Sequence, residues 1–316
     1  MSGAFHWHGG RLADARAYYG GADWIDLSTG INPLPWPGAA TIAPDWQALP
    51  DPAVLADLEA AAAAHFGVAP AHVCALPGSE IGLRLLSQLL DRPGCHIAPS
   101  YRTHGAAFPE AIQDPAQALR GAALLLANPN NPDGRLFSPA DLLGREDWLI
   151  VDEAFADCMP GASVAPHIGD ARRLIVLRSF GKFFGLAGVR LGFLLGPAPI
   201  VAACRRLLGD WPVSAAAIAF GRAAYRDRAW ISATVEMLAE RAARLDALLG
   251  RHELAARGDC PLFRLVETDD AADLFDRLAR RAILTRPFDY APRWLRLGLP
   301  ADDAAFDRLD AALGHG

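Results

Sequence analysis

Lysine is nearly absent from this chain: of its 30 basic residues only Lys182 is a lysine. With 36 acidic residues the formal charge is -6, and no polybasic block occurs, which argues against nucleic acid as a partner. The five cysteines, Cys74, Cys95, Cys158, Cys204 and Cys260, are scattered, odd in number and form no CxxC pair. Neither a disulfide framework nor a thiolate metal site is indicated, and they read as small hydrophobes of a reducing cytoplasm. The histidines show no HExxH spacing, so no metal is inferred. No GxGxxG follows a strand-like run, and GGRLADARAYYGG lacks the strand that a dinucleotide fingerprint needs. No apolar run lasts long enough without Gly, Pro or charge to span a bilayer, and the N-terminus lacks a basic region leading into an apolar one. A membrane partner is therefore not expected.

What is present is core. The 316 residues are 52% hydrophobic, enough for one large domain or a large and a small one. Residues 1–45, rich in Gly, Pro, Trp and His, read as an extended arm with a short helix around Leu12 to Tyr18. From Pro52 a helix is expected, with Asp51 as its cap and Gly67 after its last turn. Then HVCAL stops at PGSE, where Ser79 starts a second helical pattern: strand, tight turn, helix N-terminus. CHIAPS, ALLLANP, WLIVDEAF and RLIVLRSF are short runs heavy in Val, Ile, Leu and Ala, the pattern of parallel strands buried on both faces. GVRLGFLLG reads as a hairpin. Arginine- and alanine-rich helices follow to about Leu249, and the remainder alternates as a small α+β unit. The expected division is an arm over 1–45, a large domain over 46–220 and a small one over 221–316.

Polar residues stand just after the apolar runs, where open α/β sheets bind ligands. Ser79, Tyr101, Asn128, Asn131, Asp152 and Ser179 through Lys182 are thus expected to converge on one crevice. Lys182, in SFGKFFGLAGVRLGF, is either a lysine snorkelling to solvent or a desolvated amine able to attack a carbonyl. Ser179, Arg190 and the Gly78–Ser79–Glu80 helix start are either a cap, a surface charge and a turn, or together a phosphate cradle. Asp152 is either a helix cap or a carboxylate that keeps a heterocyclic nitrogen protonated. Asn131 is a turn residue or an amide donor, and Tyr101 with His104 a core aromatic and loop histidine or a stacking ring with a histidine behind it. The combination is the parts list for holding pyridoxal phosphate.

In this order PGSE, PSYRTH, NPNNPDG, VDEAF, SFGKFFGLAGVRLG and WLRLG resemble the fold-type I pyridoxal-phosphate enzymes, the aspartate aminotransferase superfamily. The resemblance implies an α/β fold with a mostly parallel seven-stranded sheet, a small C-terminal domain and a homodimer. It implies that Lys182 forms the Schiff base and that Asp152 pairs with the pyridinium nitrogen. Asn131 would donate to the phenolic oxygen and Tyr101 would stack on the ring. Ser79, Ser179, Arg190 and the amides of Ser79 and Glu80 would hold the phosphate. Arg296 would grip the substrate carboxylate.

The opening HGGRL and WIDLSTGINPLPWP, with WPVSAAA, resemble a decarboxylating branch of cobalamin biosynthesis, close kin of the histidinol-phosphate aminotransferases. The implied reaction is loss of carbon dioxide from L-threonine O-3-phosphate. The alternative is transamination by the same apparatus. His8, Ile31 and Asn32 in the arm are expected at the substrate, with His8, Asn32, Arg102 and Arg286 as candidates for its phosphate. Two positions depart from the aminotransferase pattern: Phe155 replaces a tyrosine whose phenol reaches the cofactor, and Leu49 one that reaches the neighbouring subunit's.

Overall fold

The apolar runs of the central sequence become one sheet in the computed structural model, which describes residues 3–314. In spatial order its strands are Val73–Leu76, Gly192–Leu195, Leu174–Ser179, Leu149–Glu153, Ala123–Ala127, Gly94–Ile97 and Glu110–Ile112. Neighbours run parallel except at Gly192–Leu195, which is antiparallel to both of its flanks. This corrects the hairpin expected of GVRLGFLLG: only one strand forms, and the preceding Val189 and Arg190 belong to the turn leading into it. Glu110–Ile112 was not expected from sequence, because an edge strand of three residues with one buried side chain carries almost no hydrophobic pattern.

The Ser79–Leu90 and Ala198–Leu208 helices contribute Leu83, Leu86, Val201 and Cys204 to a core shared with Leu76, Leu125, Ile150, Ile175, Leu177 and Leu194 of the sheet. Each of these larger aliphatic side chains contributes roughly 1.5–3 kcal/mol by leaving water. The Pro52–Phe66 helix starts as its sequence dictates, with Asp51 accepting from Ala53 N at 2.7 Å. It also closes the sheet's edge. Glu59 accepts from Ala75 N at 2.9 Å, and Arg205 donates to both Glu59 (2.6 Å) and the Val73 carbonyl (2.8 Å), so the Val73–Leu76 strand does not present bare backbone to a second chain.

By packing the chain forms two units. The sheet belongs to one comprising residues 35–131 and 135–235; residues 1–34, 132–134 and 236–316 form the other. The second unit has an antiparallel sheet in the order Arg286–Pro287, Trp294–Gly298, Phe263–Glu267, Ala256–Arg257. The Ala271–Arg280 and Asp303–Leu313 helices, the second capped by Asp302, belong to it too. The N-terminal segment is more ordered than the extended arm its composition suggests. Ile25–Asp26 pairs in parallel with Ile283–Leu284, and Gly298 N donates to the Leu27 carbonyl at 2.7 Å. Partners more than 250 residues away in sequence leave no local signal.

Candidate active site

In the sheet unit the site grows from strand ends. Leu149–Glu153 alternates its side chains, so Asp152 and Glu153 leave opposite faces. Asp152 Oδ2 lies 3.0 Å from His104 Nε2, and Oδ1 accepts from Ala154 N at 3.1 Å. His104 is fully buried and its Nδ1 has no hydrogen-bond partner, which makes Nε2 the ring's donor to Asp152. The Tyr101 ring stands edge-on to His104, centroids 6.1 Å apart. Burial first, then the charge of Glu80, pushes the Tyr101 phenol up to about 12. The Glu80 carboxylate accepts from Thr103 Oγ1 at 3.0 Å, tying the Ser79–Leu90 helix to the Arg102–Ala107 helix that carries His104. Lys182 is half-buried in the short Phe180–Phe183 helix, its Nζ 5.8 Å from the centroid of Phe155.

At the start of the Ser79–Leu90 helix the guanidinium of Arg190 lies against Gly78. An ideal Cβ on Gly78, at φ +91°, would stand 2.5 Å from Arg190 Nη2. Ser179 pairs with Gly192 on the adjoining strand. A guanidinium, a strand-end hydroxyl and the free amides of a twelve-residue helix thus belong to adjoining segments, and the glycine is what admits the guanidinium. The residues present fit a phosphate monoester on a planar heterocycle: an anion cradle, an aromatic ring, a buried carboxylate with its own donor, and an amine.

Asn128 departs from the convergence expected of it. Its amide donates to the Phe137 and Ala162 carbonyls and its oxygen accepts from Phe137 N, so it staples the loop. Asn131 is half-buried in the same turn. Sequence reading missed a buried ion cluster on the other side of the same strands. Arg178 Nη1 donates to Glu153 at 2.6 Å, its Nη2 donates to Asp157, and His65 Nε2 lies 3.0 Å from Asp157. Burial opposes the Arg178 charge, but Asp157 and Glu153 more than restore it and raise its pKa. Burial pushes the Glu153 carboxyl up. At Asp157 it acts likewise, but Arg178 and His65 outweigh it and the carboxyl falls below its usual range. The alternation of Asp152 with Glu153, and of Arg178 with Ser179, was the available signal.

The other unit carries the remaining candidates. Arg286 and Arg296 are register partners on adjacent strands, and both are buried. Arg296 donates to the Ser28 carbonyl at 2.9 Å and lies over Phe263; Arg286 donates to the carbonyls of Phe5 (2.8 Å) and Trp7 (2.7 Å). Burial, then the charge of Arg286, lowers the Arg296 guanidinium to about 10. Asn32 is buried and accepts from Leu34 N at 3.0 Å; Ile31 is half-buried and His8 exposed. Among the described residues no cluster of His, Cys, Asp and Glu could hold a metal ion, and no helix is long and apolar enough to cross a membrane.

The sequence model of aminotransferase class I and II matches residues 106–312, and the chain belongs to that family. Within it the chain is similar to two relatives of one name. A threonine-phosphate decarboxylase of Pseudomonas aeruginosa is 43% identical, covering 97% of this chain and 96% of its own. A second threonine-phosphate decarboxylase, from Sinorhizobium sp., is 41% identical, covering 98% and 97%. A crystal structure of histidinol-phosphate aminotransferase from Sinorhizobium meliloti, in complex with pyridoxal-5'-phosphate, shares the fold at a TM-score of 0.82, 23% identity and coverage of 96% and 93%.

Proposed function

We propose that this chain is a pyridoxal-phosphate-dependent threonine-phosphate decarboxylase, converting L-threonine O-3-phosphate to (R)-1-amino-2-propanol O-2-phosphate for cobalamin biosynthesis. The observation that carries the substrate class is the register pair Arg286 and Arg296: two buried guanidiniums on adjacent strands offer one fork for a carboxylate and one for a phosphate. Two relatives of that name, each matching over nearly the whole chain, support the reaction.

Bound cofactor supplies the electron sink. Ser79, Ser179, Arg190 and the amides of the helix start hold its phosphate. Asp152, oriented by His104, would keep the ring nitrogen protonated, Tyr101 would pack on the ring, and Asn131 would donate to the phenolic oxygen. Lys182 would carry the cofactor, and its amine or a water would supply the proton to the substrate's Cα. Arg296 would hold the substrate carboxylate, so that the bond to it rather than the one to hydrogen is presented for cleavage. His8, Asn32, Arg102 and Arg286 would receive the substrate phosphate, and Ile31 with Asn32 would stand with Arg296 at the carboxylate. Phe155, where aminotransferases place a phenol, offers Lys182 a ring face and no hydrogen bond. A second copy of the chain covers the exposed Trp46 and Leu49, giving a homodimer.

The test has two parts. Protein loaded with pyridoxal phosphate shows a visible absorption band that Lys182→Ala abolishes; wild type without a band removes the cofactor assignment. Carbon dioxide is released from threonine phosphate with no keto acid present. Strict dependence on 2-oxoglutarate would mean transamination instead.

A further inference from the structure

Gly134, at the end of NPNNPDG, meets Gly258 back to back. An ideal Cβ on Gly258 (φ +91°) would stand 2.2 Å from the Asp133 carbonyl oxygen, and one on Gly134 (φ +69°) would stand 2.9 Å from Gly258 Cα. Asp259 N donates to the Gly134 carbonyl at 3.0 Å, locking the two loops together. Backbone against backbone leaves no side chain to absorb a displacement, so neither loop shifts without the other.

The two ends of the turn are held differently. At its base Asn130 N donates to the Arg135 carbonyl at 2.8 Å and the Asn130 amide donates to the Pro99 carbonyl at 3.0 Å, within the sheet unit. At its tip Pro132–Gly134 packs as part of the other unit, although Asn131 and Arg135 on either side pack with the sheet. Asn131 is therefore one peptide bond from a tip pinned to Gly258. That glycine follows the Ala256–Arg257 strand, and Phe263, five residues on, is the ring beneath the Arg296 guanidinium at 4.9 Å.

We infer that the Gly134–Gly258 contact is a positioning joint: by pinning the tip of the NPNNPDG turn it sets the backbone from which Asn131 is presented. The inference rests on the reading of Asn131 as a ligand of the cofactor's phenolic oxygen. An amide donor there favours the anionic oxygen, so displacing it raises the pH at which the visible band titrates.

The experiment compares wild type, Gly258→Ala, Gly134→Ala, Asn131→Ala and the exposed control Gly161→Ala, whose Cβ meets nothing within 4 Å. Each is loaded with pyridoxal phosphate and titrated spectroscopically, then assayed with threonine phosphate. Gly258→Ala is expected to raise the band's midpoint by about one pH unit, in the direction of Asn131→Ala, and to lower kcat/KM about 10- to 100-fold with a raised KM. Gly161→Ala stays at wild type. If Gly258→Ala does not fold, Gly134→Ala, whose contact is looser, shows the same shifts in smaller measure. A Gly134→Ala or Gly258→Ala enzyme with a lowered melting temperature but wild-type midpoint and KM overturns the joint, leaving the glycines a structural role. Wild type without a band, or Asn131→Ala with an unshifted midpoint, counts instead against the cofactor reading.

Discussion

Gly78→Ala separates the cost of folding from the cost of binding. Gly78 sits at φ +91° between the Val73–Leu76 strand and the Ser79–Leu90 helix, and its missing Cβ is where Arg190 Nη2 lies. Placing an alanine in that conformation costs about 1–2 kcal/mol of backbone strain. The steric conflict adds little, because the obstacle at 2.5 Å is the far end of an exposed, flexible side chain that swings away. Binding suffers more. A guanidinium moved off the helix start no longer meets the phosphate, and each charge-assisted hydrogen bond lost there is worth about 1.5–3 kcal/mol. At 1.4 kcal/mol per factor of ten, pyridoxal phosphate should bind about 10- to 150-fold more weakly. The assay pairs a melting curve of the cofactor-free protein with a spectroscopic titration of cofactor. Affinity within threefold of wild type, at whatever melting temperature, would refute the cradle.

Two further outcomes follow from the buried groups. Arg178→Leu strands the Glu153 and Asp157 carboxylates in the core, and loss of one partner of a buried pair costs about 3–5 kcal/mol. Urea unfolding should show it, and Arg178→Leu/Glu153→Gln should be more stable than the two single effects added; strict additivity refutes the coupling. The Tyr101 phenol titrates near 12 in the folded chain and near 10 in the unfolded one, so the folded state binds the extra proton between those values. Stability from this group is complete below pH 10 and is lost as pH rises toward 12. Tyr101→Phe should flatten the stability-versus-pH curve in that window by up to one proton, and an unchanged slope would count against the shift.

Much of this was legible along the chain, for a local reason. The four apolar runs placed strands because burial on both faces demands unbroken Val, Ile, Leu and Ala, and the Asp51 cap announced its helix. The solitary Lys182, with Asp152 and PGSE at strand ends, pointed to a Schiff-base cofactor. The role of a single residue depends on its packing. Asn128 and Asn131 share one turn and one chemistry, yet only packing revealed that the Asn128 amide is consumed by Phe137 and Ala162.

The sequence by itself determined the buried strands, the capped helices, the residue chemistry and the family, since periodicity, caps and motif order are properties of neighbours along the chain. Tertiary structure alone decided the rest, because each remaining feature joins residues far apart in sequence. His104 reaches Asp152 across 48 residues, Arg296 meets Ser28 across 268, and Gly134 rests on Gly258. No local pattern encodes such a pairing; it exists only once the sheets have placed both ends.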